Sequence, residues 1–320
     1  MTGQAPDRVT VVAFAGIVLS GGLNAVAIKF SNAELDPFWG ATLRFGLAAL
    51  LLFGFVAGRR IALPRGTTLV SALLYGVLGF GIPYALAYWA LLEVPAGTAM
   101  IILALVPLLT LVLAVVQRLE PFRLQGALGS LVALAGVAVV FWDQLEGSSR
   151  VALLPMLAVL LGAVAIAETN VVVKRFPRSN PLAHNAVGMA VGALLLAAGS
   201  LVAGEAWAAP QGVPAILAVA FLVLVGSVAL FMLFLFVIER WTASATSYTL
   251  LLMPLVTVAG AAVLLGEQIT AGMIAGGALV LGGTYIGAFA PSFSVPLPGL
   301  FRRPATEPDI GPPELPTPCL

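Results

Sequence analysis

Apolar residues fill this chain in unbroken blocks rather than in the one-faced or alternating patterns of a soluble domain. Charge-free runs cover residues 9–28, 66–92, 94–117, 124–142, 206–238, 241–266 and 268–301, each near or above the roughly 20 residues that a membrane-crossing helix needs. No stretch alternates with the period of two that a barrel strand requires. In hydrocarbon the helix is then what bonds every backbone amide within its own segment. Short breaks carrying proline punctuate the runs as tight inter-helix turns do: Asp36-Pro37, Val94-Pro95, Glu120-Pro121, Asn180-Pro181 and Ala209-Pro210. The pattern predicts ten helices, at about 9–30, 37–57, 67–91, 95–117, 123–142, 151–175, 181–203, 213–238, 242–265 and 271–290, with no room between them for a soluble domain.

Five of these helices are a second copy of the other five. Shifted by 147 positions, Pro107 falls on Pro254, Glu120 on Glu267, Gly129 on Gly276 and Gly136 on Gly283. Asn24 and Gly16 fall on Asn170 and Gly162 at a shift of 146, and Pro37 on Pro181 at 144. Composition then supplies the solvent, since 61% of residues are hydrophobic and 9% charged, where a soluble domain carries about a quarter charged. The chain reads as an integral membrane protein. Its first apolar run is too long for a signal peptide's core, so the first helix is expected to stay. The single cysteine, Cys319, supports neither a disulfide framework nor a cysteine metal site.

Lysine and arginine set the orientation. With a cytoplasmic N-terminus, the inner set is Arg8, Arg59, Arg60, Arg65, Arg118, Arg123, Lys174, Arg175, Arg178, Arg240, Arg302 and Arg303, against Lys29 and Arg150 outside. Twelve against two satisfies the positive-inside rule and places both termini in the cytoplasm. An odd number of helices per copy gives the copies opposite polarity. The expected fold class is therefore an all-α integral membrane protein with ten transmembrane helices as two inverted five-helix repeats, at 9–142 and 151–290. Such a plan suits alternating access, in which exchanging the two copies' conformations moves an opening from one face to the other. Residues 291–320 hold a run of prolines from Pro291 to Pro318 and few charges, and are expected to be a disordered cytoplasmic tail.

Three stretches carry a family resemblance. Gly22-Leu23-Asn24-Ala25-Val26-Ala27-Ile28-Lys29, Leu43-Arg44-Phe45, and Leu265-Gly266-Glu267 followed by Gly272, Gly276 and Gly282 resemble the EamA type of the drug/metabolite transporter superfamily, over about residues 10 to 290. The resemblance departs at Gly21, where the family often has tryptophan. It implies a cavity lined by helices one to four and six to nine, with the fifth and tenth peripheral. It also implies a permease of the cell membrane, a secondary transporter that exports a small polar or amphipathic metabolite such as an amino acid. Substrate and membrane lipid would be its partners, with no nucleic acid and no cofactor, and with proton coupling and a homodimer left open. A membrane enzyme or scaffold is the alternative. Against an enzyme stand the lone histidine and the lack of clustered acids or a Gly-x-Ser-x-Gly elbow.

Several polar or aromatic side chains stand out within the spans. Glu168 is a carboxylate inside an apolar helix, which reads as a proton- or cation-coupling acid or as an acid at the inner rim held by His184. Arg44 is the cation within a span; it either grips a substrate carboxylate or bonds carbonyls and snorkels outward. Asn24 and Asn170 are symmetry mates, fit to bond a neighbouring helix or a ligand. Phe80, Tyr84 and Tyr88 form an i, i+4, i+8 stripe suited to lining a cavity or to packing, and Tyr248 with Ser244 is a weaker candidate of the same kind. Gly79 and Pro83 predict a hinge in the third helix, repeated at Gly226 in the eighth. Glu120 and Glu267 read as turn caps, and Gly272, Gly276, Gly283 and Gly287 as a close-packing seam within the protomer or between two.

Overall fold

The computed structural model describes residues 7–119, 124–146, 153–173, 175–177, 179–238, 240 and 243–289. Residues up to Ala290 form one compact unit, and the Pro-rich tail lies outside the described residues. The helices are α1 (Arg8–Asn32), α2 (Pro37–Gly58), α3 (Thr67–Ala90), α4 (Ala96–Val116), α5 (Leu124–Glu146), α6 (Leu153–Val173) and α7 (Pro181–Ala203). They continue as α8, running from Val213–Val223 through Leu224–Ala229 to Leu230–Ile238, α9 (Ala243–Leu265) and α10, which runs on from Ala271–Thr284 into Tyr285–Phe289. Among the described residues there is no strand. The first eight are long and apolar enough to cross a membrane, and α9 and α10 contribute shorter apolar stretches at Leu252–Leu265 and Ala271–Gly287. Ten helices in two five-helix repeats are thus in place.

The local chemistry that starts and stops these helices is plain. Pro37 and Pro181 open α2 and α7 at positions whose amides need no partner within the helix. Asp7 and Asn180 cap α1 and α7 by accepting amide hydrogens, and Thr270 does the same for α10. Gly204 ends α7 in the left-handed conformation at φ 70°, where a side chain would be strained.

Packing between helices runs mainly across the two repeats. The chief partners of α1 are α8 and α9, and those of α6 are α3 and α4, the same relation seen from the other copy. Likewise α2 packs along α7, and α5 along α10. The α5–α10 seam settles the role of the glycines. A Cβ on Gly129 would lie 2.5 Å from Gly287 Cα, and one on Gly283 2.5 Å from Ala133 N, so this small-residue face is filled within the protomer rather than left for a second chain.

Three helices carry a widened turn, one of them at the end of α10 (Tyr285–Phe289) and the other two at equivalent places. In α3 residues Gly76–Gly81 are π-helical, and in α8 residues Leu224–Ala229 are. Pro83 accounts for the first. It has no N–H for the Gly79 carbonyl, and its ring would crowd that oxygen in a regular helix. The wider turn relieves the crowding, with the Ile82 amide reaching back five residues to Val77. In α8 the Leu230 amide reaches back to Val225 with no proline at the turn.

Candidate functional site

Two cavities adjoin at the centre of the bundle. The larger, about 280 Å³, is walled by α1, α3, α4, α6, α8 and α9, and its polar groups are Asn24 and Tyr84. The smaller, about 210 Å³, brings in α2 and α7 and is lined by Arg44, Tyr75, Asn185, Ser227 and Thr249 along with Tyr84. Tyr84, Leu230, Leu250 and Met253 border both, which makes them one site with an apolar chamber and a polar end. The two draw on helices one to four and six to nine and on neither α5 nor α10, the distribution that the family resemblance implies. Their sizes sit near the low end of small-molecule pockets, roughly 300 to 1,000 Å³.

Arg44 anchors the polar end. It is 1% exposed, so the outward snorkelling weighed from the sequence does not occur. Its Nε donates to Ser227 Oγ at 3.0 Å and its Nη2 to the Gly226 carbonyl at 3.0 Å, joining α2 to the widened turn of α8. The rings of Phe45 and Tyr84 lie 4.9 and 5.0 Å from the guanidinium carbon, close enough for cation–π attraction. Its Nη1 and the hydroxyl of Tyr88 are both buried outside ordinary hydrogen-bond geometry, and that hydroxyl lies beside the guanidinium. The Gly226 carbonyl also accepts from Asn24 Nδ2 at 3.3 Å, while Asn24 Oδ1 is buried without a partner.

The aromatic stripe divides. Tyr84 borders both cavities, and Phe80 lines the polar one with Tyr75 packed edge-on against it at 5.2 Å. Tyr88, fully buried, lines neither. Pro83 borders the apolar chamber and Gly226 the polar one, whereas Gly79 faces Tyr75 and Thr169. The side chain of Tyr248, with that of Ser244, lies outside the described residues.

Glu168 and His184 are not partners. Glu168 is half-buried and accepts from Gln117 Nε2 at 2.7 Å, and Arg175 donates to the same Gln117. His184 Nδ1 is 3.1 Å from Ser179 Oγ, with its ring 5.0 Å from that of Tyr75. Neither lines the two cavities. Asn170 is exposed and donates to Thr110 Oγ1 at 3.2 Å, unlike its symmetry mate Asn24.

At the end of the bundle that holds residues 34–36, carboxylates fasten one repeat to the other. Glu205 accepts from the amides of Phe38 and Trp39 at 3.1 and 2.8 Å, capping α2, and Asp36 accepts from Ala206 N at 2.9 Å. Glu34 accepts from the amides of Gly212 and Gln211, which hold its carboxyl below its ordinary value of 4.5. Gly266, at φ 67°, turns the chain out of α9 so that Glu267 reaches the amide of Ala96 at 2.9 Å and of Gly97 at 3.4 Å, with Lys29 Nζ 3.4 Å away. It is therefore a cap, on α4 rather than on the helix that follows it. Glu120 lies outside the described residues. Sequence reasoning passed over Ser227, Tyr75 and Asn185. Of these, Asn185 carried a signal, a lone amide within the apolar run of α7.

Apolar helices in two interlocked repeats around an enclosed, mostly apolar site with a polar end define a multi-pass membrane transporter. The chain belongs to the EamA-like transporter family, whose pattern matches residues 8–142 and again 153–288. It is 28% identical over 230 residues to the uncharacterized inner membrane transporter YedA of Escherichia coli K12, covering 71% of this chain and 74% of that one. It is 27% identical over 288 residues to a probable amino-acid metabolite efflux pump of Salmonella typhimurium LT2, covering 85% and 92%. A biotin transporter of the same organism is 27% identical over 172 residues, covering 53% and 56%. A solved crystal structure with 19% identity shares the fold, with a TM-score of 0.62 over 92% of this chain and 100% of its own.

Proposed function

We propose that this transporter is a secondary exporter of a small polar or amphipathic metabolite, an amino acid or related solute, working by alternating access with both termini in the cytoplasm. The observation that carries the reading is the pair of widened turns in α3 and α8, 147 positions apart at Gly79 and Gly226 and set beside the central cavities. A π-helical turn is a local departure from the regular ladder and a common companion of functional sites. Two of them in inverted copies give each half a place to bend. The efflux-pump relatives support export of amino-acid metabolites, and the inner excess of arginine supports the orientation.

Counterflow in proteoliposomes tests it. Vesicles loaded with an unlabelled solute should draw in the same labelled solute transiently, for at least one member of a panel of amino acids and their carboxylic-acid relatives. Flux that stays at the protein-free rate across the panel, with protein verified as folded, would sink the exporter reading.

A further inference from the structure

We infer that the polar end of the site binds the carboxylate of an amphipathic monoanion, with Arg44 as its counter-ion and the apolar chamber holding the rest of the molecule. This deepens the transporter reading and rests on it. A guanidinium offers five N–H donors in a planar fork that matches a carboxylate. Here Nε and Nη2 are bonded to neutral groups of the protein and the neutral Tyr88 hydroxyl lies beside the guanidinium, so the charge of this side chain, 1% exposed, has only uncharged neighbours. Among the described residues no carboxylate lies within ion-pair distance of it, and the ion pair they do form, Lys29–Glu267, is elsewhere. A buried charge without a counter-ion is costly, and a bound anion removes that cost.

The rest of the lining decides what kind of anion. Among the described residues neither cavity has an aspartate or glutamate in its wall, and Arg44 is the charged residue in both linings taken together. A monocarboxylate therefore brings the site to neutrality. A zwitterion leaves the net charge of the occupied site at plus one, since its ammonium meets neutral oxygens such as that of Asn24 and aromatic faces but no carboxylate among the described lining residues. A neutral amide leaves Arg44 unpaired. The site thus ranks solutes as acid over zwitterion and amide, with an apolar body required in each case by the chamber around Asn24 and Tyr84.

The full chain in lipid nanodiscs tests the ranking by calorimetry with 3-phenylpropionate, phenylalanine and 3-phenylpropionamide, which share one apolar body. The acid should bind at one site per chain and at least tenfold more tightly than either analogue, and Arg44→Gln should erase that preference while Arg44→Lys keeps part of it. If Arg44→Gln fails to fold, the acid-against-amide ratio of the unmodified protein decides alone. Oleate, with the same head group on a longer chain, should compete at least tenfold more weakly; equal competition would overturn a soluble cargo in favour of a bilayer lipid. Equal or tighter binding of phenylalanine or of the amide, or no binding of the acid, overturns the monoanion site. Counterflow with the same compounds separates the two claims. Flux of phenylalanine without flux or binding of the acid removes the monoanion site and leaves the exporter, whereas tight acid binding without flux of any compound keeps the site and removes the exporter.

Discussion

Glu267 shows how much one side chain ties together in this molecule. Its carboxylate accepts two amides at the start of α4 and faces Lys29 of α1, so it combines a helix cap, a favourable place at the positive end of a helix and an ion pair. Glu267→Ala should lower stability by about 0.5 to 2 kcal/mol, the range for losing a cap. Glu267→Gln should lose less, since an amide oxygen still accepts one bond. Lys29→Met should cost the least, because a partly solvated pair contributes about 0 to 1 kcal/mol. Thermal unfolding in nanodiscs checks the order, and Lys29→Met costing more than Glu267→Ala would refute the cap as the main role. The sequence pointed to a cap here but not to the helix it serves, because the turn's sequence carries no trace of a partner some 170 residues earlier. Arg44 is the sharper case. Its charge marked it from the sequence, yet whether it snorkelled or turned inward depended on Ser227 and Gly226 of another helix.

At the scale of elements, the widened turns look alike but have different causes. In α3 the proline made the irregularity legible in advance. In α8 no proline stands at or near the widened turn, and what carried the expectation was only that Gly226 repeats Gly79. The surroundings of the two glycines also differ. A Cβ on Gly226 would stand 2.1 Å from Asn24 Oδ1, while one on Gly79 would stand 3.3 Å from a Thr169 methyl. Gly226→Ala must therefore push Asn24 off the carbonyl it bonds, and should destabilise by about 1 to 3 kcal/mol, as overpacking does. Gly79→Ala should cost less than about 1 kcal/mol, since alanine's better helix propensity offsets a small displacement. Chemical denaturation of the two variants reads the difference, and equal losses would show that the contacts around Asn24 do not set the cost.

For the whole molecule, the inverted repeat was legible because glycines, prolines and acids recur at fixed spacing, and the interlocking of the copies follows from it. What the repeat did not reveal is that the copies differ where they should match. Asn24 bonds the widened turn of α8, whereas Asn170 bonds Thr110 and leaves Gly79 to face Thr169. Equivalent helices in unequal arrangements are what an inverted-repeat transporter needs, because exchanging them opens one face as it closes the other. In this conformation the end with residues 34 and 211 is clasped by the Glu34 carboxylate, and at the opposite end residues 63 and 180 border an open depression. In a Cys319→Ser background, spin labels at 33 and 211 and, in a second variant, at 63 and 179 report each end by pulsed distance measurement and leave the Glu34 clasp and the Asn180 cap in place. Alternating access predicts two distance populations for each pair, with substrate shifting them in opposite senses: where the first pair lengthens, the second shortens. A rocking motion permits no other relation, so labels that lengthen together, or a single unshifted population at both ends, would leave the broken symmetry a matter of packing rather than of transport.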